Sequence, residues 1–282
     1  MKRINITTSG ESHGIGLTGI LTGFPCGLKI DEEIISMELA ERRKGSGRSV
    51  RQTMEKDEFE ITGGVINGVT TGAPISIFLK NKAVYDLGDK KDNQYIPRPG
   101  HADFAGILKY HETDMRIIAE RASARKTAMD VALGSFSLIF LEEFGIKIDS
   151  KIIELGGETD SKKQEEKIKA AREKGESLGG AVEIKCSGLI PGLGSVYSDD
   201  LKLDGDIASI LMTIPGVKGI EIGEAIKQSR SFGTEVSDSF VNYKGFIERR
   251  NNQVIEESDS DKIERLEKEN IELKEKGIKE SK

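Results

Sequence analysis

The chain has 282 residues, enough to bury a full hydrophobic core as one large domain or two smaller ones. Hydrophobic residues make up 36% and charged residues 32% of the sequence. The formal net charge of -6 excludes a general affinity for nucleic acid or an anionic membrane, so an anionic ligand would need a local basic pocket.

The N-terminal residues "MKRINITTSGE" contain no apolar run typical of a signal peptide, and no window reaches the length of a membrane span. The two cysteines, Cys26 and Cys186, are far apart and fit no metal or redox spacing. We therefore expect a soluble cytoplasmic protein without a metal site, and no nucleic-acid or membrane partner.

In the first hundred residues, β-like runs surround one helix. The run "GIGLTGILTGFP" predicts a strand, and "DEEIISMELAERRK" predicts a helix capped by Asp31. "EFEITGGVING" and "APISIFLKN" predict further strands with turn glycines between them. Residues 81–100 predict a polar loop that ends in the stiff segment "IPRPGH".

The longest predicted helix, "SARKTAMDVALGSFSLIFLEEFG", begins at Ser123 as N-cap and ends at Gly145 in a left-handed cap. It is followed by a charged surface helix "KQEEKIKAAREKGESLGG", a strand "AVEIKCSGL" and a loop "IPGLGS". "DIASILMTIPGVKGIEIG" predicts a helix that turns into a strand at Pro215-Gly216. Because strands and helices do not alternate strictly, an α+β fold is favoured over a doubly wound parallel sheet.

The composition changes near residue 250, where the chain becomes dense in Glu and Lys. We therefore predict a main domain over residues 1–250 and a charged tail over 251–282. The tail has only about two heptads of an a/d pattern, so a solvated helix or a disordered segment is favoured over a coiled coil.

Two groups of basic residues are candidates for binding an anion. Arg42 and Arg43 end the first helix, where cations also favour the helix dipole and can simply be solvated. Arg121, Arg125 and Lys126 flank the predicted start of the longest helix, where the dipole disfavours cations. A bound anion would explain the second group, and neutralisation by the neighbouring Glu120 is the alternative.

Histidine occurs only three times, and two of these residues lie in loops marked by glycine or proline. His13 lies in "SGESHGIG", which is either a self-satisfied polar turn or part of an active site. His101 follows "RPG", whereas His111 lies in a helical segment and is interpreted as a surface residue. Loop histidines together with arginines indicate acid–base chemistry on a small polyanionic molecule.

At "GESHG", "RPGHADFAG", "ERASARKTA" and "IPGVKGIEIG", the sequence resembles the chorismate synthase family, in order from residue 1 to about Asn252. "RRKGSGR" and "IPGLGS" also resemble family segments. The resemblance implies a fold of antiparallel sheets sandwiching helices (a β-α-β sandwich), assembled as a homotetramer. It implies a lyase of the shikimate pathway that converts 5-enolpyruvylshikimate 3-phosphate to chorismate by 1,4-anti elimination of phosphate. The cofactor implied is reduced FMN, with NADPH as a candidate reductant.

The resemblance also implies residue roles. The histidine that matches His13 assists the leaving phosphate, and the one that matches His101 protonates the reduced flavin. The implied substrate contacts are Ser12, Arg42, Arg48, Arg98 and Arg125. The implied contacts with FMN are Arg121, Ala122, Ser123, Pro215 and Gly216, and those with NADPH are Arg42 and Arg48.

The family's C-terminal flavin loop, Lys-Pro segment and Arg-x-Asp motif have no counterpart in the residues after Asn252, so we expect a C-terminally incomplete version of the fold. This departure leaves a second hypothesis open. The alternative is a non-catalytic anion-binding protein that keeps the basic pocket and associates through its charged tail.

Overall fold

The computed structural model describes residues 4–44, 57–82, 84, 96–237, 239–243 and 246–250. The chain divides into two compact units, Met1–Leu203 and Asp204–Lys282. The predicted tail over 251–282 and most of the predicted loop over 81–100 lie outside the described residues. The division into residues 1–250 and 251–282 therefore stays a prediction.

In the first unit the strands are β1 (Asn5–Ser9), β2 (Gly16–Thr22), β3 (Phe59–Gly63), β4 (Val65–Ile66), β5 (Val69–Thr70), β6 (Ile75–Lys80), β7 (Lys147–Leu155) and β8 (Gly180–Ser187). The helices are α1 (Glu32–Arg43), α2 (Asp103–Tyr110), α3 (Met115–Ala122), α4 (Lys126–Glu142) and α5 (Ser161–Lys174). A 3₁₀ turn covers Asp199–Leu201, and helix α6 (Leu203–Leu211) begins at the boundary between the units.

The second unit continues α6 and adds two short helices, α7 (Ala225–Gln228) and α8 (Gly233–Val236). Strands β9 (Ser239–Tyr243) and β10 (Phe246–Arg250) pair with each other antiparallel. The predicted strand after Pro215-Gly216 is wrong, because residues 217–222 have no regular secondary structure. Gly216 has φ +92°, so the chain leaves the helix through a turn, and no described strand pairs with these residues.

A four-stranded antiparallel sheet in the order β1-β2-β6-β3 forms the base of the first unit. Leu17 lies opposite Leu79, and Ile77 lies between Gly19 and Ile61 on the two neighbouring strands. Along β2 and β6, buried and more exposed residues alternate, as expected for a sheet with one face on the core.

Helix α4 covers the inner face of this sheet, and α1 packs against α4 and adds Ile35 and Leu39 to the same core. The Asp31 side chain accepts a hydrogen bond from the Glu33 backbone N–H, which confirms the predicted cap of α1. The buried apolar residues of α4 recur every three or four positions, and so form one stripe along the helix. The core includes Leu17, Leu21, Ile35, Leu39, Ile75, Ile77, Leu79, Met129, Leu133 and Phe136.

Gly19 explains how closely α4 approaches the sheet. A Cβ at this position would overlap the Met129 sulfur and would lie 2.8 Å from Leu133 Cδ1. The absence of a side chain in the middle of β2 therefore lets the helix backbone come near the strand.

Strands β7 and β8 form a separate antiparallel ribbon. Its register places Ile148, Ile152, Val182 and Ile184 on one face, and all four side chains are exposed. Helix α5 begins at the Asp160 cap and carries its charged residues at the surface, as the sequence predicts. Helices with antiparallel sheets define an α+β fold, which confirms the predicted class.

The start of the longest helix differs from the prediction. Ser123 ends α3 with an extended backbone, and α4 begins three residues later at Lys126. The Ser123 hydroxyl accepts a hydrogen bond from the Arg125 backbone N–H, as Asp31 does from Glu33 at α1, but at Ser123 the bond closes a tight turn that precedes the regular helix. At the other end, Gly145 has φ +69°, the left-handed conformation that the sequence predicts.

Among the described residues, no helix is both long and apolar enough to cross a membrane. Within the same ranges, no group of three or more His, Cys, Asp and Glu side chains is arranged to hold a metal ion. Cys26 and Cys186 are free and exposed.

Candidate anion-binding and acid–base site

The loop between β1 and β2 contains Ser12 and His13, and its shape is fixed from both sides. Gly10 has φ +106°, and a Cβ there would overlap the Gly16 carbonyl oxygen, so the loop requires glycine at this position. Ser12 is buried at 3% exposure.

Asn81 anchors this loop through hydrogen bonds. Its side-chain amide donates hydrogen bonds to the carbonyl oxygens of Glu11 at 3.0 Å and Gly14 at 2.9 Å. Asn81 is itself buried, and its backbone N–H donates to the Ile15 carbonyl oxygen. The loop is therefore anchored at three backbone oxygens by one residue at the end of β6.

Glu120, near the end of α3, contacts the same loop. Its carboxylate accepts from the His13 backbone N–H at 2.6 Å and lies 2.7 Å from the His13 ring nitrogen Nδ1. Its backbone carbonyl oxygen accepts from the Ser12 backbone N–H at 3.2 Å. The Glu120 side chain is 5% exposed and the His13 side chain 26%, so the imidazole reaches solvent while its carboxylate partner does not.

Three guanidinium groups surround the buried carboxylate of Asp57. Arg125 donates to Asp57 Oδ1, and Asp57 Oδ2 lies 3.7 Å from an Arg42 nitrogen and 4.0 Å from an Arg43 nitrogen. Three guanidinium groups thus converge on one buried carboxylate. Arg125 Nε also donates to Asn81 Oδ1 at 3.0 Å, which joins the cluster to the His13 loop.

Arg42 also ties the end of α1 to the start of α4. Its guanidinium donates to the Thr127 hydroxyl at 3.1 and 3.2 Å and to the Ala124 carbonyl oxygen at 3.3 Å. The side chain is only 9% exposed, so the interpretation of Arg42 as a solvated helix-end charge is wrong. Arg42 lies in the protein interior because the tertiary structure supplies acceptors for its donors.

Arg121 contacts the first strand and the turn that follows it. Its Nη2 donates to the Thr8 carbonyl oxygen at 2.6 Å and to the Thr8 hydroxyl at 3.0 Å, and its Nη1 donates to the Gly10 carbonyl oxygen at 3.4 Å. Arg121 and Ala122 are exposed, and Ser123 is half-buried.

Arg98 and His101 form a second local cluster before α2. Arg98 bonds the buried carboxylate of Asp103 through Nε at 2.8 Å and Nη2 at 3.0 Å. The hydrogen bond from the Arg98 side chain is the main cause that lowers the pKa of Asp103 to about 2, and the same bond raises the pKa of Arg98. His101 Nδ1 donates to the Pro99 carbonyl oxygen at 3.0 Å, because a carbonyl oxygen can only accept.

The structure connects four of the predicted site residues through Glu120, Asn81 and Asp57: Ser12, His13, Arg42 and Arg125. Arg121 contacts Thr8 and Gly10, just before the His13 loop. Arg98 and His101 lie together in their own cluster. Pro215 and Gly216 lie in the second unit, and Arg48 lies outside the described residues. His111 follows α2 and is exposed, as predicted.

The sequence did not predict Asn81 or Asp57 as residues of the site, and it did not predict that Glu120 contacts His13. Glu120 stands beside the predicted Arg121, and this adjacency was its only signal. Asn81 and Asp57 are 44 and 68 positions from Arg125, and no local pattern marks them.

Arginines around a buried anion, joined to a loop histidine on an antiparallel α+β scaffold, define an enzyme that acts on a small anionic molecule. A family model described as chorismate synthase matches residues 4–255. The chain belongs to the chorismate synthase family.

Individual relatives agree. The chain is 43% identical to a chorismate synthase of Caldanaerobacter subterraneus, over 87% of this chain and 71% of the relative. It is 38% identical to one of Aquifex aeolicus, over 89% of this chain and 75% of the relative. A crystal structure of chorismate synthase superposes with a TM-score of 0.75 at 36% identity, covering 89% of this chain and 78% of that one.

These findings confirm the resemblance drawn from the motifs. The protein is an enzyme, a lyase of the shikimate pathway in aromatic amino acid biosynthesis. The family acts on a small phosphorylated substrate and uses reduced flavin. The comparisons support this activity and give no better support to the non-catalytic alternative.

Proposed function

We propose that this chain eliminates phosphate from 5-enolpyruvylshikimate 3-phosphate to form chorismate, with Arg42 and Arg125 in the substrate pocket. The observation that carries this proposal is the convergence of three guanidinium groups on the Asp57 carboxylate. A place where three guanidinium groups converge supplies the kind of donors that a substrate with a phosphate and two carboxylates requires.

The other substrate contacts in the proposal are Ser12, Arg48 and Arg98. Ser12 lies in the loop that Glu120 and Asn81 anchor, so its position relative to His13 is fixed. The Arg98 guanidinium is oriented by two hydrogen bonds to Asp103 and is still 54% exposed, so it retains surface from which to meet an anion. The substrate contact proposed for Arg48 is based on its match to the family motif alone.

In the proposed mechanism, His13 with protons on both ring nitrogens gives the Nε2 proton to the leaving phosphate as the C–O bond breaks, and becomes the neutral ring with its proton on Nδ1. His101 delivers a proton from Nε2 when both ring nitrogens are protonated, and Nδ1 keeps its own proton in the bond to the Pro99 carbonyl oxygen. The two histidines thus act at separate places, one beside the arginine cluster and one before α2.

The residues at the end of α3 fit reduced FMN as donors. Arg121 is exposed and oriented by Thr8 and Gly10, and the Ser123 hydroxyl lies two residues away. We propose that Arg121, Ala122 and Ser123 are FMN contacts, and that Arg42 and Arg48 are contacts for NADPH. The proposed FMN role of Pro215 and Gly216, which lie in the second unit, is based on their match to the family motif alone. When bound, reduced FMN supplies an electron-rich ring to a reaction that is redox-neutral overall. The same proposal includes a main domain that ends at residue 250, which the change in composition supports. It also includes a homotetramer and a cytoplasmic location, which the membership of the family supports.

The test is an assay of chorismate formation with chemically reduced FMN, comparing His13→Ala, His101→Ala and the control His111→Ala. Each of the first two substitutions should lower kcat by about 10²–10⁴-fold, because each removes an acid–base group. His111 is exposed at the end of α2, so its substitution should leave kcat unchanged. Full activity in a folded His13→Ala protein would contradict the proposed role.

A further inference from the structure

We propose that Glu120 is a positioning residue that fixes the ring orientation and the tautomer of His13, so that Nε2 is the nitrogen directed to chemistry. The inference deepens the proposed function, since it assumes that His13 acts on the substrate. It concerns a contact between residues 107 positions apart, which neither the motifs nor the family comparison assigns.

The geometry gives each Glu120 oxygen its own donor. Oε2 accepts from the His13 backbone N–H at 2.6 Å, and Oε1 lies 2.7 Å from Nδ1 of the same residue. An ionised carboxylate has lone pairs and no proton to give, so the short contact at Oε1 requires the proton on Nδ1. In the neutral ring, Nε2 then carries the lone pair.

The opposite tautomer would be disfavoured by this arrangement. It would place the Nδ1 lone pair 2.7 Å from a carboxylate oxygen that is nearly inaccessible to water. Two acceptors facing each other without a proton between them repel, and burial removes the solvent that would screen them. If the carboxylate rotated away from Nδ1, it would also lose the hydrogen bond from the His13 backbone N–H to Oε2.

The same residue also fixes the position of the ring. The Glu120 carbonyl oxygen accepts from the Ser12 backbone N–H, so the loop bonds both the main chain and the side chain of one helical residue. Helix α3 is in turn held at its start by Asp114, which caps it and pairs with Arg116. The His13 backbone and ring are therefore oriented by a rigid element and do not depend on the loop alone.

A buried carboxylate that orients a catalytic imidazole in this way is familiar from the hydrolase triads, where replacing it by an amide leaves the geometry intact but gives the wrong tautomer. In this chain Glu120→Gln should act similarly. Glutamine has one acceptor oxygen for two facing donors, so either the His13 backbone N–H or Nδ1 must face an NH₂ group.

The first measurement is the ring ¹⁵N NMR spectrum of the full chain labelled at histidine. His13, His101 and His111 are the only histidines, so the ring signals are few, and the His13→Gln and His101→Ala proteins assign them. In the neutral ring of His13 we expect a protonated Nδ1 and an unprotonated Nε2. A spectrum with the proton on Nε2 would overturn the inference, without need of any Glu120 variant.

The second measurement compares Glu120→Gln with Asp114→Asn, a matched change of another buried carboxylate, at the N-cap of the same helix. Glu120→Gln should alter the His13 tautomer signals and lower kcat by about 10- to 100-fold with little change in KM, a smaller loss than that expected from His13→Ala. Asp114→Asn should lower the melting temperature but leave the His13 signals as they are. Unchanged His13 signals and unchanged kcat in Glu120→Gln would overturn the inference.

The failure of the inference and the failure of the proposed function are separable. If His13→Ala retains kcat, His13 is not the acid, whatever its tautomer. If His13→Ala loses kcat while Glu120→Gln keeps both kcat and the His13 signals, the proposed function stands and the positioning role of Glu120 is wrong.

Discussion

At the scale of single residues, Asp57 decides how the arginines are arranged. Its backbone has φ +47°, an uncommon conformation for a non-glycine residue, and its side chain is fully buried. Arg42, Arg43 and Arg125 would repel one another if no carboxylate lay between them. Removing one partner from a buried ionic cluster costs about 3–5 kcal/mol, so Asp57 and Arg125 are structural as well as candidate functional residues.

This dual role changes how the anion site is best tested. Arg125→Glu would place a second carboxylate against Asp57 and disturb the fold, whereas Arg125→Lys keeps the charge and removes the planar fork. We expect Arg125→Lys to weaken substrate binding about tenfold, or ~1.4 kcal/mol, measured by the substrate-induced rise in melting temperature.

Lys126→Gln is the control, because it removes a whole charge from the neighbouring position, where Lys126 pairs with Asp130. If the guanidinium is recognised specifically, Arg125→Lys should weaken binding more than Lys126→Gln. The reverse order would mean that the site responds only to overall positive charge, and the assignment of Arg125 would be wrong.

At the scale of elements, the Arg98–Asp103 pair organises the entry to α2. Asp103 accepts from the Arg98 backbone N–H at 3.1 Å as well as from its side chain, so the carboxylate closes the turn that carries His101. The Asp103 side chain is 2% exposed, so water competes little for these bonds. The conformation of this turn depends on an ionised carboxylate.

The pH dependence of stability follows from this pair. The pKa of Asp103 is lowered from 3.8 to about 2, mainly by the Arg98 side-chain hydrogen bond, so the native state favours the charged form. The stabilisation is complete above the unfolded pKa and is lost as the pH falls through the folded value. The melting temperature of Asp103→Asn should lie below that of the wild type near neutral pH, and the difference should shrink between pH 3.8 and about 2. A difference that stays constant over this range would contradict the contribution of the ion pair.

At the scale of the whole molecule, much apolar surface of the described residues faces outward. Ile152, Val182 and Ile184 on the β7–β8 ribbon are each more than half exposed. Strands β2 and β6 and the helices α1 and α4 supply most of the core of the first unit, whereas the β7–β8 ribbon contributes no residue to that core. Exposed apolar patches of this kind are typical of surfaces that meet another element or another chain.

The proposed homotetramer gives a measurement at this scale. Light scattering after size exclusion should give a mass of about four times the 30.9 kDa chain. A concentration-independent mass of a single chain would contradict the proposed assembly. The same measurement on a chain ending at residue 250 asks whether the predicted tail contributes to association.

Local physics made much of the scaffold predictable. The Asp31 cap of α1, the alternation along β2 and β6, the apolar stripe of α4 and the glycine cap at Gly145 are short-range patterns, and the sequence by itself determined them. The same holds for the types of residue in the site, because arginine and histidine in loops and at helix ends indicate anion binding and proton transfer before any fold is known.

The partners of those residues were decided only by the tertiary structure. Arg125 bonds Asn81 and Asp57, and His13 bonds Glu120, across separations of 44, 68 and 107 positions. The start of α4 at Lys126 was likewise missed, because Ser123 has the chemistry and the extended backbone of a cap, but a tight turn over residues 124–125 separates it from the helix. A local pattern can fix how a segment folds on itself, but which buried donor meets which acceptor depends on how sheet and helices pack, and on the high cost of burying a charge without a partner.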